Sequence, residues 1–328
     1  MKNLQTTYMG LQLKNPIIAS SSGLTSNIES IKKLADEGVG AIVLKSLFEE
    51  QINYESGRLE AFGVEHPDAI SYIRAYSTSN SLEGNLNLIK SAKQETNIPI
   101  IASVSCISDN EWVEFAKNIE AAGADALELN LFFLPVDKDK PSSEYEATYF
   151  EVIDDLKKKI KIPIAVKIGF YFTNPLRMVK ELYNHKANAA VLFNRFYESD
   201  IDIENMMLKS AEVFSRPSDI RLSLRWISLI SAQMPEMELS ASIGAHDGAA
   251  VVKLLLAGAQ TVQLCSTLYK NGVGQVGKIL EFVSDWMKRH GYKSIERFRG
   301  EMNYKNIADP DIYERSQFMK YYSNRENL

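Results

Sequence analysis

The chain has 328 residues, of which 45% are hydrophobic and 24% are charged, and its formal net charge at pH 7 is −5. These proportions are typical of a globular protein with enough apolar side chains for a large core. The excess of negative charge disfavours binding to nucleic acid or to an anionic membrane, so we expect a small-molecule ligand instead.

The N-terminal segment, MKNLQTTYMGLQLKNP, lacks the apolar stretch of a secretory signal. No apolar run approaches the roughly 20 residues that a membrane-spanning helix needs. The two cysteines, Cys106 and Cys265, do not form a CxxC pair, and the four histidines show no metal-ligand spacing. We therefore expect a cytoplasmic protein without a metal site.

Eight short apolar segments alternate with amphipathic helical segments along the chain. The segments predict strands near residues 17, 42, 100, 126, 164, 190, 239 and 261. Continuous apolar runs of this kind are typical of parallel strands that are covered on both faces. The first predicted helix spans residues 26–37, with Ser26 as its N-cap and Glu29 three residues later.

Four of the junctions between a helix and the next strand resemble each other. They read LADEGVGAIVLK (34–45), IEAAGADALELN (119–130), YNHKANAAVLFN (183–194) and KLLLAGAQTVQLCS (253–266). Gly38, Gly123 and Gly258 stand where a left-handed residue commonly ends a helix, and Lys186 takes that place in the third junction.

Eight such units predict a (β/α)₈ TIM barrel with insertions after strands 2, 4 and 6, formed by residues 1–328 as one domain. A doubly wound open sheet is the alternative architecture. It is disfavoured because no GxGxxG motif follows any of the predicted strands.

Polar residues follow several of the predicted strands, whose C-terminal ends meet at one mouth of such a barrel. Lys45, Asn130, Lys167 and Asn194 all belong to this set. Singly, a lysine there often extends to solvent and an asparagine often caps a turn. Burying an unpaired lysine is costly, so the four together predict a ligand site.

The predicted strands 7 and 8 end in SASIGAHDG and QLCSTLYKNG, which are rich in small residues. Loops after these two strands commonly bind phosphate in barrels, through backbone N–H groups and small hydroxyls. Ser242, Gly244, Ser266 and Thr267 suit that role. With Lys45 and Lys167 at the same mouth, the sequence predicts a phosphorylated cofactor.

The run IIASVSCISDNEWVEFAKNIEAAGADALELN (100–130) closely resembles the flavin barrel of dihydroorotate and dihydropyrimidine dehydrogenases. The segments LKNPIIAS, GVGAIVLKS, IPIAVKI and LLLAGAQTVQLCSTLY resemble it too, so the likeness covers most of residues 4–300. It implies FMN in the mouth of the barrel and oxidation of dihydroorotate to orotate, a CH–CH oxidation of pyrimidine biosynthesis. By analogy it also implies a homodimer.

The resemblance assigns roles to residues on the first two barrel strands. Ala19 and Ser20 match the segment that lies behind the flavin ring. Lys45 and Ser46 match a Lys-Ser/Thr pair that contacts flavin and substrate.

It likewise assigns roles on the later strands. Asn130 and Lys167 match residues that hydrogen-bond the ring and the ribityl chain, and Asn194 matches one that faces flavin and substrate. The phosphate loops of the family correspond to the turns with Ser242, Gly244, Ser266 and Thr267. Those loops normally carry Gly-Gly and Gly-Thr, whereas this chain has Ile243-Gly244 and Cys265-Ser266.

The loop after ALELN departs from the family pattern. The family has a cysteine or serine there as the base that removes a proton, and this chain has Phe133. Cys106 and Ser142–Ser143 are candidates for a base supplied from elsewhere. After Asn194 the family has serine or threonine, whereas Arg195 follows here.

Three interpretations remain open under the resemblance. The chain oxidises or reduces a pyrimidine-like substrate with another base, uses FMN on a more apolar substrate, or binds flavin without turnover. Phe132, Phe133 and Leu134 would line the pocket of a more apolar substrate. Apart from the resemblance, a class I aldolase that uses Lys45 or Lys167 as a Schiff base also fits a barrel.

Overall fold

A computed structural model describes residues 4–48, 82–106, 112–132 and 134–315 of the chain. The strands are β1 (Thr6–Tyr8), β2 (Leu11–Leu13), β3 (Ile17–Ala19), β4 (Ala41–Val43), β5 (Leu47–Phe48), β6 (Ile100–Cys106), β7 (Ala126–Leu131), β8 (Ile164–Ile168), β9 (Ala189–Leu192), β10 (Ser199–Asp202), β11 (Met207–Ser210), β12 (Glu238–Ala241) and β13 (Thr261–Leu264). The helices are α1 (Ile28–Asp36), α2 (Leu82–Glu95), α3 (Trp112–Ala121), α4 (Ser142–Lys159), α5 (Pro175–Asn184), α6 (Ile220–Gln233), α7 (Gly248–Ala257), α8 (Ser266–Asn271), α9 (Gln275–Arg289) and α10 (Asp311–Glu314).

Eight parallel strands form a closed barrel in the order β3, β4, β6, β7, β8, β9, β12, β13. The barrel closes where β13 pairs with β3, with Val262 opposite Ile17. The short strand β5 follows β4 and extends its pairing with β6. The predicted (β/α)₈ barrel is confirmed, with all eight strands at the predicted positions, because buried parallel strands are readable as short apolar runs.

The predicted insertions follow the second, fourth and sixth barrel strands. The segment after the second strand is mostly outside the described residues. Residues 132–141 separate the fourth strand from α4, and the antiparallel hairpin β10–β11 follows the sixth strand. Both hairpin strands are exposed, apart from partial burial of Asp202.

The hairpin β1–β2 closes the N-terminal end of the barrel. Tyr8, Met9 and Leu13 are buried there against an apolar layer of barrel side chains that includes Val43 and Val191. The larger core lies between the barrel and its surrounding helices. Because apolar side chains fill this end of the barrel, a ligand can enter only from the opposite, C-terminal mouth.

The backbone at the four similar junctions bears out their comparison. Gly38, Gly123 and Gly258 have φ values of +98°, +97° and +116°, and Lys186 is also left-handed at +69°. The predicted cap of the first helix is wrong by one residue. Asn27 caps α1 by accepting a hydrogen bond from Ser30 N, because Ser26 still belongs to the preceding 3₁₀ turn.

Two features are absent from the described residues. None of the helices there is long and apolar enough to cross a membrane. The same residues contain no group of three or more His, Cys, Asp or Glu side chains arranged to hold a metal ion.

Candidate active site

A buried polar network lies inside the barrel near its C-terminal mouth, centred on Lys167. The Lys167 ammonium lies 3.2 Å from Ser20 Oγ, 3.1 Å from Gln263 Oε1 and 3.4 Å from Glu128 Oε1. Gln263 Nε2 donates to the second Glu128 oxygen at 2.5 Å. The lysine is only 6% exposed, so the Glu128 carboxylate and the neutral acceptors replace the water that it loses. Lys167 is therefore held in one position.

Strand alternation places these side chains together. Glu128 and Asn130 are two residues apart on β7 and so point to the same side of the sheet. Lys167 lies opposite Asn130 in the register of β7 and β8. Glu128 and Gln263 were not singled out as site residues from the sequence. The sequence did contain a sign of them, because a charged and an amide side chain are unusual in the middle of apolar strand segments.

A pair of asparagines extends the network along the mouth. Asn194 Nδ2 donates to Asn130 Oδ1 at 2.7 Å, and Asn194 Oδ1 accepts from the backbone nitrogen of Arg195 at 2.9 Å. Among the described residues, no acceptor pairs with Asn130 Nδ2, which leaves a donor for a ligand. The Arg195 guanidinium donates to the carbonyl oxygens of Glu212 and Val213, so this arginine fixes the segment that follows the hairpin.

A row of serine hydroxyls joins the first three barrel strands. Ser46 Oγ lies 2.7 Å from Ser103 Oγ and 3.0 Å from Ser21 Oγ, and Ser46 N donates to Ser21 Oγ. Lys45 is half-buried just before it. Ala19, the last residue of β3, is fully buried. The segments predicted to contact a flavin ring on these strands are thus tied together.

The turn after β12 has an unusual backbone. Ile243 and Gly244 are both left-handed, with φ of +74° and +76°. A β-branched residue is rare in that region, where the conformation costs about 1–2 kcal/mol. A Cβ on Gly244 would lie 2.1 Å from the backbone nitrogen of Ile220, so the turn packs directly on the start of α6. Ser223 Oγ fixes the turn further by donating to Ser242 O at 2.6 Å.

The turn after β13 differs in how its two hydroxyls are used. Ser266 Oγ accepts a hydrogen bond from Ser215 N at 3.0 Å. Thr267 is fully buried and donates to His246 O at 2.9 Å, so its hydroxyl supports the neighbouring turn. Burial raises the pKa of the Cys265 thiol, an effect that Lys167 partly opposes. Cys265 is therefore protonated at neutral pH.

These elements border an open cleft of about 600 Å³ at the mouth. Of the predicted residues, six line it: Ser20, Lys167, Asn194, Ser242, Gly244 and Ser266. The other five (Ala19, Lys45, Ser46, Asn130 and Thr267) do not line it. Eight further residues, not predicted as cofactor contacts, also line the cleft: Ser21, Arg195, Val213, Ser215, Ile243, Ala245, Gln263 and Cys265.

The candidates for the base are spread over different places. Phe133 and the side chain of Cys106 lie outside the described residues. Ser142 and Ser143 are exposed at the start of α4, and Ser142 lines a second pocket, not the cleft. Leu134 is 61% exposed, so it does not line an enclosed apolar pocket.

Comparison with known proteins gives a consistent result. A family model described as dihydroorotate dehydrogenase matches residues 3–287. The catalytic subunit of dihydroorotate dehydrogenase B (NAD(+)) from Thermoplasma volcanium is 27% identical over 314 residues, which cover 92% of this chain and 98% of that protein. Dihydroorotate dehydrogenase A (fumarate) from Limosilactobacillus reuteri is 27% identical, over 90% of this chain and 96% of its own length.

A relative with a different name is similar over the same region. Dihydropyrimidine dehydrogenase (NADP(+)) from Arabidopsis thaliana is 25% identical over 325 residues, which cover 91% of this chain and 76% of that protein. Flavin chemistry, not Schiff-base chemistry, is common to this family. The chain belongs to the dihydroorotate dehydrogenase family and is a flavin-dependent oxidoreductase that acts on CH–CH groups.

Proposed function

We propose that the protein binds FMN in the cleft and oxidises dihydroorotate to orotate, a step of pyrimidine biosynthesis. The observation that carries the proposal is the buried Lys167 network at the mouth of a barrel of this family. Relatives named dihydroorotate dehydrogenase align over almost their whole length, which supports the substrate.

The chemistry of the donor set supports an anionic, phosphate-bearing cofactor. The cleft combines one ammonium group, a guanidinium group, serine hydroxyls and the small-residue turns after β12 and β13. Backbone N–H groups of such turns and small hydroxyls are common phosphate ligands. Ser20 and Lys167 would hold the ring and ribityl chain. Asn130 does not line the cleft itself, and would assist them from behind Asn194, to which it is hydrogen-bonded. Ser242, Gly244 and Ser266 would hold the phosphate.

When bound, the flavin supplies a ring that accepts a hydride from the substrate. Lys167 would supply a fixed positive charge to the bound ring, and a charge of that sign stabilises an anionic ring. Glu128 and Gln263 hold Lys167 in position without reorganisation during the reaction. Asn194 would present its amide group to the substrate, and Asn130 holds that amide by accepting a hydrogen bond from it.

The proton that leaves the substrate needs an acceptor on this chain. Phe133 has no group that can take a proton, so the base lies elsewhere, and we propose Cys106 or Ser142. A loss of turnover in Cys106→Ala with normal turnover in Ser142→Ala would select Cys106, and the reverse would select Ser142. Normal turnover in both variants would contradict the assignment.

The cofactor is tested by releasing it from the purified protein with acid and comparing it by chromatography with FMN and FAD standards. We expect one equivalent of FMN per chain. Release of FAD, or protein that neither carries nor takes up FMN, would overturn the cofactor proposal.

Turnover is tested by following orotate formation from dihydroorotate with an artificial electron acceptor. We expect orotate to form at a rate proportional to the FMN content. FMN-loaded protein that forms no orotate would favour the interpretation of flavin chemistry on another substrate.

We also propose that the protein is a homodimer. The hairpin β10–β11 and its turn carry exposed apolar side chains, with Ile203, Met206 and Leu208 each at least 76% exposed. Apolar side chains grouped in this way on the surface commonly mark an interface with another chain.

A further inference from the structure

We propose that a second pocket beside the cleft binds a planar aromatic cation that carries N–H donors. The pocket spans about 550 Å³ of space that is partly open to solvent, and it lies between α4 and the loops that follow β7, β8 and β9. This ligand class goes beyond the proposed function, in which only Ser142, one of the two candidate bases, lies in this pocket.

Aromatic rings form most of the wall of this pocket. The rings of Phe132 and Phe196 have centroids 3.8 Å apart, and Tyr171 meets Phe196 edge-on at 4.4 Å. A Cβ on Gly169 would lie 3.0 Å from the Phe196 ring, so the glycine lets that ring approach the floor. The six aromatic lining residues are Phe132, Tyr145, Tyr149, Tyr171, Phe172 and Phe196. Such walls select a flat ligand by stacking on its faces.

The charged side chain in the pocket determines which sign of charge the ligand should carry. Glu146 is the only charged residue among the described residues that line it. Its carboxylate is half-buried, and no cation or hydrogen-bond donor pairs with it in the described part of the chain. A carboxylate next to aromatic faces favours a cation through ion pairing and cation–π attraction, and repels an anion.

A contact within the chain illustrates the same preference. Lys140 Nζ lies 4.6 Å from the centroid of the Tyr145 ring, which is itself part of the wall. A positive charge is thus already accommodated on this ring by the protein's own lysine. The lysine does not line the pocket, so the inner faces and Glu146 are left for a ligand.

Three lining residues of the pocket stand just beyond residues of the proposed flavin site. Phe132, Gly169 and Phe196 each follow by two residues a polar residue proposed for the flavin site, namely Asn130, Lys167 and Asn194. A ring bound here would therefore lie next to the reaction centre, in the position of a second substrate or of an extension of the first.

The test uses three probes of one shape and different charge: benzamidinium, benzamide and benzoate. Binding to the full-length protein is followed by tyrosine fluorescence and by calorimetry. We expect benzamidinium to bind at least tenfold more tightly than benzoate, with benzamide between them. In Glu146→Gln the preference for the cation should fall to the part that cation–π attraction supplies, while benzamide binding is kept.

Two further variants make the test specific. Glu151→Gln removes an exposed carboxylate from the same helix outside the pocket and should leave all three affinities unchanged. Tyr171→Ala, at a 57% exposed position, should weaken all three probes. Equal binding of benzamidinium and benzoate, or an unchanged preference in Glu146→Gln, would overturn the proposal. Because the readout is probe binding, its failure is distinguishable from failure to bind FMN.

Discussion

Lys167 is the residue on which the flavin proposal depends most. Its charge is buried and is balanced by Glu128, and removing one member of such a pair leaves the other uncompensated, at a cost of about 3–5 kcal/mol. If a single substitution at Lys167 abolished FMN binding, the loss could therefore result either from unfolding or from the missing contact.

We accordingly predict the result for the double variant Lys167→Met/Glu128→Gln. It should keep a cooperative thermal unfolding transition, because no buried charge remains unpaired. Its affinity for FMN should fall at least tenfold, which corresponds to about 1.4 kcal/mol. Fluorescence titration of the cofactor-free protein measures the affinity. A double variant that binds FMN as tightly as the unmodified protein would contradict the role of Lys167.

His246 makes a separate prediction about pH. Its Nε2 lies 3.0 Å from Ser215 Oγ, and burial, followed by the nearby Lys270 charge, lowers its pKa. A backbone hydrogen bond with Ser215, and then the charges of Asp219 and Asp247, act in the opposite direction. Because the folded-state pKa lies below the unfolded value of about 6.5, the neutral ring stabilises the fold above that pH.

That contribution should be lost as the pH falls below about 6.5 and towards the folded-state pKa. Urea unfolding at about pH 7.5 and about pH 5 measures it, with His246→Gln as the comparison. The unmodified protein should lose more stability than the variant between the two pH values. An equal loss in both would show that His246 does not titrate on unfolding.

At the residue scale, the sequence predicted Lys167 and Asn194 as site residues and missed Glu128 and Gln263. Lys167 and Asn194 stand out because they follow apolar runs. Glu128 and Gln263 lie inside such runs, and only the three-dimensional closure of the barrel brings them to Lys167. Pairing across 135 residues of chain cannot be read from local pattern.

At the scale of elements, the turn after β12 joins the barrel to α6. Gly244 is needed there both for its left-handed φ and because its Cα lies against the backbone of Ile220. Gly291, which follows α9, has a similar φ of +77° but no atom within 4 Å of the place of a Cβ. Alanine substitutions at the two glycines therefore distinguish the cost of a left-handed backbone, present at both, from the cost of a steric clash, present only at Gly244.

We predict that Gly291→Ala lowers the free energy of unfolding by about 1 kcal/mol, the conformational cost alone. Gly244→Ala should lower it by more than about 2 kcal/mol, because the backbone of α6 must also move. Chemical denaturation of both variants measures the difference. Equal losses would mean that the turn does not pack as tightly as described.

The elements themselves were largely predictable, since apolar runs and helical periodicity mark them directly. The failures concern local detail. Ser26 has the composition of a helix cap, yet the preceding 3₁₀ turn delays the start of α1 to Asn27. Ile243 in a left-handed conformation contradicts the ordinary preference of its residue type, so the sequence gives no sign of that backbone.

At the scale of the whole molecule, the hairpin β10–β11 yields a prediction about assembly. The protein should sediment as a dimer, and Leu208→Glu in the hairpin should shift it towards monomer. Val136→Glu, an equally exposed apolar position in another loop, serves as the control and should leave the dimer intact. A native protein that sediments as a monomer, or a Leu208→Glu variant that stays dimeric, would contradict this interface.

The architecture was predictable from the sequence because eight similar units leave few ways to close a barrel. The chemistry was less so. The loop that normally carries the base begins with Phe132 and Phe133, and only the structure reveals that Phe132 belongs to an aromatic pocket with Glu146. Several loops form this pocket together, and they meet only because the barrel is closed, so the sequence of a single loop does not predict it.

The most direct test of the central claim is anaerobic titration of the flavin-loaded protein with dihydroorotate, followed by the visible absorption of the flavin. This reductive half-reaction needs no knowledge of the electron acceptor. We predict that the flavin band bleaches and that one orotate forms per flavin reduced. A band that stays unchanged at saturating dihydroorotate, while dithionite bleaches it completely, would contradict the proposed function.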